Sequence, residues 1–592
     1  MQMLKKLGRM PIVLTLPGLA ILLVIFGIPA VQMFLSSLKA PAFSLANYQA
    51  FLGQSANVRV LFQTVEISAV ATIICLVLGY PTAYLIVAAS KRMRMALLVL
   101  VIIPYLTSFL ARTYAWIVIL GDNGLINNGL LHFGLISSPL ELIFNRMAVY
   151  IGMVHIMLPM MILPLVSVMI GIDKSLSSAA RSMGARPFTA FWRVFFPLSL
   201  PGVRSGSLLV FVICLGFYIT PAALGGLGDA MLSTFIAAQV QTSFDVASIA
   251  TSSFLLLAIA VVVLSIVGLD LSGSQSRAGR QPRKPRLSRL PSFASLKGHL
   301  SELSIPYRAK RWTAHLYEAR GSSRWSEIAG PAFAVLVLAF LLFPEVVVII
   351  MSFSSGAFLE FPPSSLSLQW YRSFVGDPAW YGAARTSIQI GIAVAILSTI
   401  LGTLAAYGLS RAGPQLRRIL TMVILTPITI PVIVVGVATY LGLINIGLIG
   451  CLTGMILAHS IGAMGYVVVI VSATLANFDR RLAQAAQSMR AGPLQTFRRI
   501  TLPLIRPGII GGAVFAFLHS FDEVVITSLV SGFSIYTLPL KMWENIRNEA
   551  DPTVAAVASL LTLLPVIWLI ALYLTWWRSR SQAHPAISEA AA

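Results

Sequence analysis

Long apolar runs alternate along this chain with short polar stretches. By hydropathy they fall near 11–36, 60–89, 96–120, 147–170, 203–226 and 248–271, then 328–353, 383–410, 419–443, 451–475, 509–530 and 553–577. At ~1.5 Å of rise per residue, a helix of about 20 residues crosses a ~30 Å hydrocarbon layer. The pattern therefore predicts twelve transmembrane helices. A membrane β-barrel would show shorter segments in which apolar and polar residues alternate. The expected fold class is all-α, polytopic, with a lipid bilayer as its surroundings.

The chain also repeats itself. FSLANYQAFLG (43–53) returns as LSLQWYRSFVG (366–376), which sets Tyr48 on Tyr371 and Gly53 on Gly376. Gly79, Ala83, Tyr84 and Pro104 return as Gly402, Ala406, Tyr407 and Pro427, at the same offset of 323. Further on, DKSLSSAARSMGARPFTAFWRVFFPLSLPG (173–202) returns as DRRLAQAAQSMRAGPLQTFRRITLPLIRPG (479–508), at an offset of 306. Each half holds six spans and starts on the same side, so the repeats are parallel rather than inverted. The organisation read from this is a first half over 1–271, a basic linker over 272–327, and a second half over 328–592 with a short tail.

Composition agrees with the membrane assignment. Of 592 residues 57% are hydrophobic and 10% charged, with a mean hydropathy of +0.86; soluble proteins carry about 25% charged residues. The formal net charge of +22 changes the picture only through its placement. Twelve Lys/Arg stand between Arg277 and Arg324 against Glu302 and Glu318, and others gather at Lys5, Lys6 and Arg9, at Lys91, Arg92 and Arg94, and at Arg411, Arg417 and Arg418. With a cytoplasmic N-terminus every Lys/Arg-rich loop falls inside, and after twelve spans the C-terminus does too. The outer loops then hold nine acids (Asp122, Glu141, Asp229, Asp245, Glu360, Asp377, Glu544, Glu549, Asp551) against six Lys/Arg. The charge sets topology, and nucleic acid is not an expected partner. The apolar run from Pro11 to about Leu35 exceeds the core of a signal peptide, and no A-x-A site follows it, so it reads as an uncleaved first helix. Cys75, Cys214 and Cys451 lie inside predicted helices and indicate packing rather than disulfides. In the linker, an Arg/Pro/Ser-rich part precedes Trp312, Leu316 and Ala319 at helical spacing among Arg308, Lys310, Arg311 and Arg320. It reads equally as a basic helix on the inner leaflet or as a solvated tether.

The two polar repeats, 173–202 and 479–508, lie inside, between the fourth and fifth spans of their halves. Asp173 is placed to N-cap a short helix, Gly184 to end it in the left-handed conformation, and Pro187 to begin a second helix. Pro197 and Pro201 are expected to break the chain before the next span. The result is a helix–turn–helix on the cytoplasmic face, presented twice. Its spacing, A-A-x-x-x-G-x9-[IV]-x-[LF]-P, is met by Ala179, Ala180, Gly184, Val194, Phe196 and Pro197, and in the second copy by Ala485, Ala486, Ile500, Leu502 and Pro503. This resembles the permease signature of bacterial ABC importers. The resemblance implies a fused pair of permease halves whose loops (Ser178, Ala179, Ala180, Gly184, Ala185 and Pro197; Gln484, Ala485, Ala486, Arg490, Gly492 and Pro503) dock on two ATPase subunits. It further implies a periplasmic substrate-binding protein and residence in the bacterial inner membrane. Two departures stand out: the usual leading Glu is Ser178 or Gln484, and the turn glycine is Arg490 in the second copy. Gly492, beside Pro493, is the expected replacement for that turn.

Finer stretches are similar to spermidine/putrescine-type importers. PYLTSFLARTYAWIVILGDNGLINNGLL (104–131) and GFYITPAALGG (216–226) resemble their first permease, whereas LHSFDEVVITSLVSG (518–532), TLPLKMWENIR (537–547) and DPTVAAVASLL (551–561) resemble the second. The implied solute is a small cationic amine. No G-K-[ST] occurs, so no P-loop holds ATP here; Mg-ATP belongs to the partner, no cofactor or metal is expected in this chain, and the chain is not an enzyme.

Ionisable residues inside a bilayer default to a functional reading. Asp522 and Glu523, assisted by His519, are read as drawing a cation into a cavity, with protonation or pairing to an Arg as the alternative. Glu66 reads as part of the path or as an interfacial residue, and Glu345, beside Pro344, as lying near the outer interface. Arg112 is expected to bridge Asp522 across the pseudo-dyad, with substrate contact as its alternative. Tyr105, Tyr114, Trp116 and Tyr218 supply either cation–π walls or packing. His155 and His459 occupy nearly equivalent places and are expected to join helices by hydrogen bonds. Two rival classes stay open at this point, a ferric-ion importer permease and a twelve-helix secondary transporter. SKRMR (90–94) lacks the acid that a secondary transporter normally carries in that loop.

Overall fold

The computed structural model describes residues 11–39, 41–243, 245–267, 324–356, 360–532, 534–548 and 552–567. The linker lies outside the described residues except for its last four, which begin the helix Arg324–Met351. All twelve predicted apolar segments coincide with helices. Nine are long enough to cross a bilayer, two are bent pairs, and Thr553–Ile567 is a shorter apolar helix whose predicted continuation is not described.

Straight rods are the wrong picture for four of the spans. The third is Lys91–Leu106 followed by Phe109–His132 at 90°, and the ninth is Pro414–Thr429 followed by Val432–Asn445 at 103°. Extended backbone at Thr107 (ψ 154°) and Ser108 (ψ 132°), and at Ile430 (ψ 146°) and Pro431 (ψ 129°), makes the corners. Pro431 keeps Ile430 out of the helical region, because its ring clashes with a helical predecessor. The fifth and eleventh spans stop at Leu215 and Phe521 and resume as the short helices Ile219–Leu224 and Val525–Val530.

Within each half the second, fourth and fifth spans form the packed centre: Ser55–Ala88 with Arg146–Ile170 and Phe196–Leu215, and Pro378–Ser410 with Leu452–Ala476 and Leu502–Phe521. Small residues let the backbones approach, as they do wherever lipid gives no hydrophobic drive between helices. A Cβ on Gly79 would meet Met161 Cγ at 3.0 Å, and one on its repeat Gly402 would meet Val467 Cβ at 2.8 Å. The first helix of each half crosses over. Pro11–Thr15 packs on Pro378–Ser410, and Arg324–Met351 packs on Phe109–Leu120 and Ser55–Ala88. That exchange places second-half side chains against the first-half corner.

Candidate translocation and coupling sites

Both polar repeats form the predicted helix–turn–helix. Asp173 caps Lys174–Ser182 by accepting from the Ser175 amide at 2.9 Å, and Asp479 caps Arg480–Ser488 through the Arg481 amide at 2.9 Å. The Ser175 amide holds the Asp173 carboxyl below its ordinary pKa of 3.8. Each helix ends in the same hydrogen-bonded turn. Gly184 N–H donates to Arg181 O and Ala185 N–H to Ala180 O, both at 3.0 Å; Arg490 N–H donates to Gln487 O and Ala491 N–H to Ala486 O, also both at 3.0 Å. Gly184 takes φ +88°, and Arg490 itself takes φ +61°. The expectation that Gly492 had taken over the turn is therefore corrected. Gly492 is the extended residue before Pro493, with φ −63° and open space where a Cβ would stand. The doubled turn bond fixes the left-handed residue by position, whatever its side chain.

Two further expectations about these loops change. Pro197 and Pro201 do not break the chain: Pro197, like Pro503 in the repeat, follows a π-helical segment, Pro201 lies inside Phe196–Leu215, and helix is continuous over Pro187–Leu215 and Pro493–Phe521. The i to i+5 bonding of the π-helical turn, Phe196 N–H to Phe191 O, shifts the ladder by one residue just before the proline and so accommodates its missing N–H. Ala180 and Ala486 are each 8% exposed and face the second helix of their own hairpin. The face turned to water carries Leu176, Ala179 and Met183, repeated as Leu482, Ala485 and Met489, with both methionines 83% exposed. Sequence reading missed these leucines and methionines. Their signal was the i, i+7 spacing of two apolar residues in an otherwise polar helix.

At the first-half corner, second-half acids take the free groups. Asp522 accepts from Ser108 Oγ at 2.5 Å and from the Phe109 amide at 3.4 Å, so it caps Phe109–Leu120 from the other half. Glu345 accepts from Thr107 Oγ1 at 2.7 Å and from Thr562 Oγ1 at 3.0 Å. It is 4% exposed, so its expected place at the outer interface is corrected: its helix is covered by the other half. Glu523 accepts from the Ile526 amide at 2.8 Å and starts the short helix Val525–Val530. Arg112, 4% exposed, has no carboxylate within 4.0 Å among the described residues, which corrects the expected direct bridge to Asp522. Its guanidinium donates to the carbonyls of Thr107 and Ile156, each at 3.4 Å.

Residues 75–271 and 398–578 each match the family described as binding-protein-dependent transport system inner membrane component. The chain belongs to this family. The permease carries its domain twice, one copy per half. It is 38% identical over 183 residues to the spermidine/putrescine transport system permease protein PotB of Haemophilus influenzae, a match covering 30% of this chain and 64% of that protein. It is 36% identical over 197 residues to PotB of Escherichia coli (33% and 71% covered). It is 34% identical over 248 residues to the putrescine transport system permease protein PotI of Escherichia coli (40% and 88% covered). Among solved structures, a bacterial alginate ABC transporter in complex with an alginate pentasaccharide-bound periplasmic protein aligns at a TM-score of 0.36 and 15% identity, over 43% of this chain and 90% of that one.

The remaining predicted residues of the permease make the following contacts. Glu66 pairs with Arg146 at 3.2 Å, and Arg146 also pairs with Asp229 at 3.0 Å, which ties the second, fourth and fifth-to-sixth segments together. Trp116 packs edge-on against His155 at 5.7 Å, Tyr218 packs against Trp543 at 5.6 Å, and Tyr114 is 1% exposed. Tyr105 is half-buried on the helix before the corner. His519 lies on the Tyr466 ring at 5.1 Å. It fits only because position 462 is glycine, whose Cβ would stand 2.5 Å from His519 Nε2. His155 contacts Leu341 O at 3.1 Å, and His459 contacts Ser520 Oγ at 2.9 Å and Thr527 Oγ1 at 3.0 Å. Cys451 caps the helix Leu452–Ala476 rather than lying within it.

Proposed function

We propose that this permease is the membrane subunit of an importer that carries a small cationic amine, of the polyamine class, into the cytoplasm. Identity of 34–38% to permeases of spermidine and putrescine systems is the observation that carries the reading. Two separate ATPase subunits drive it, one on each helix–turn–helix, and a periplasmic binding protein delivers the solute. The exposed Leu176–Ala179–Met183 face and its repeat supply two equal apolar contacts for those ATPases. Mg-ATP is bound on them, since this chain has no P-loop. The protein sits in the inner membrane with both termini in the cytoplasm.

The solute meets Asp522 and Glu523 at the corner. Two carboxylates in a low-dielectric layer attract an ammonium strongly, because the alternative counter-charge there is scarce. Asp522 is the more accessible of the two, being partly exposed where Glu523 is 7% exposed. The test is uptake of labelled putrescine and spermidine by vesicles holding the permease with its ATPase and binding protein. Amine uptake that needs ATP and is lost in the Asp522→Asn/Glu523→Gln double variant is expected. Uptake of ferric ion in place of amines would overturn the proposal.

A further inference from the structure

Internal repetition offers a control for the corner cluster. The buried hydroxyl of Ser37 meets Tyr48 at 2.9 Å, and that of Ser352 meets Tyr371 at 2.7 Å. Tyr48 and Tyr371 are repeats, so the first helices align Ser37 with Ser352, Pro29 with Pro344, and Ala30 with Glu345. The connection after that helix is eight residues longer in the second half. At offset 323 Thr107 and Arg112 match Ile430 and Val435, and at offset 306 Thr562 and Asp522 match Leu256 and Gly216.

One corner therefore holds Thr107, Arg112, Glu345, Thr562 and Asp522, and its counterpart holds Ile430, Val435, Ala30, Leu256 and Gly216. Gly216 stands at the second-half corner as Asp522 stands at the first: its Cβ would lie 2.8 Å from Pro431 Cβ and 3.0 Å from the Val432 amide nitrogen. The approach to the corner that Asp522 makes in one half is thus made by Gly216 in the other, where none of the five matched positions carries a charge. Polarity at the first corner is not needed to make the corner.

Arg112 cannot shed its proton, so a buried guanidinium demands a counter-charge. Two acids reach the stretch of chain that holds it: Glu345 accepts from the hydroxyl of Thr107, whose carbonyl accepts from Arg112, and Asp522 accepts from the hydroxyl of the next residue, Ser108. Glu345 is sealed between two threonine hydroxyls, whereas Asp522 is partly exposed. One base facing two acids leaves one acid over. From this we infer that Glu345 is a positioning residue: it supplies the counter-charge of Arg112 and so leaves Asp522 free for an incoming cation. The inference rests on the proposed cationic solute and on Asp522 as its contact. Without Glu345, Arg112 takes Asp522 as its only counter-ion and competes with the solute.

The test is putrescine uptake by the complete transporter, with KM and Vmax separated and the unfolding midpoint of each variant recorded. Glu345→Gln, which can still bond both threonines, is expected to raise KM about tenfold, within the usual coupling of neighbouring charges. Adding Arg112→Gln is expected to bring KM back to within about twofold of the parent. A purely structural Glu345 would move the midpoint and leave KM alone. An unchanged KM in Glu345→Gln, or a double variant no better than the single, overturns the inference. Should Glu345→Gln fail to fold, the apolar set Thr107→Ile, Arg112→Val, Glu345→Ala and Thr562→Leu copies the other corner. Uptake by it near the parent KM is expected, and loss of uptake at a normal midpoint overturns the inference. A parent transporter that carries no amine sinks the solute proposal itself, a failure seen before any variant is made.

Discussion

Arg490 holds a backbone conformation that its repeat gives to glycine, and replacing it should tighten the second helix–turn–helix. Its φ of +61° places Cβ against the following carbonyl, which costs an L residue roughly 1 kcal/mol that glycine does not pay. The turns close with equal bonds in the two loops, Ala491 N–H to Ala486 O and Ala185 N–H to Ala180 O both at 3.0 Å. Arg490→Gly should therefore stabilise the local fold by about 1 kcal/mol, roughly a fivefold rise in amide protection over Arg480–Thr496. Gly184→Arg should lower protection in the first loop by the same factor or more, its φ of +88° being still less suited to a side chain. Gly492→Val should change little, since φ −63° and open space suit valine. Hydrogen exchange on the intact protein in detergent or nanodisc reads all three. If Gly492→Val unprotects its loop while Arg490→Gly does not protect it, the turn has been assigned to the wrong residue.

Leu176→Glu and Met183→Glu combined with Leu482→Glu and Met489→Glu should abolish ATPase binding in a pull-down while leaving the unfolding midpoint unchanged, whereas Ala180→Trp should lower that midpoint, overpacking a tight contact costing typically ~1–3 kcal/mol. The cap made by Asp173 should depend on pH. Its carboxyl is held below 3.8 in the folded loop, so the cap's contribution is present above that value and is lost as pH falls through the lower folded value, which the Ser175 amide shift would report by NMR. Arg146→Ala removes two ion pairs whose Glu66 partner is 53% exposed, so the midpoint should fall only slightly, by an amount that high salt reproduces in the parent.

Much of this fold was legible in hydropathy and repetition, because span length and Lys/Arg placement are imposed by the bilayer itself. Asp173, Gly184 and Pro187 took the cap, turn and first-helical places assigned to them, since each is a local demand of backbone geometry. The corners were harder. A hydropathy window averages over Thr107 and Ser108, and only Pro431 leaves a signature in the residue order. Glu345 was misplaced because its depth was judged from its own helix, whereas its burial comes from the exchange of first helices between halves. Ala180 was read as an ATPase-docking residue on family resemblance, and in the hairpin its small side chain is buried. For Arg490 the rule that glycine marks a left-handed turn failed, because the turn's hydrogen bonds set the conformation and leave residue choice to bear the strain.

The proposed function requires one chain to supply a whole two-half membrane unit with two docking helix–turn–helices. Native mass spectrometry of the complex purified with its ATPase and binding protein tests it most directly. The predicted particle holds one copy of this chain, two ATPase subunits and one binding protein. A particle with two copies of this chain would contradict it.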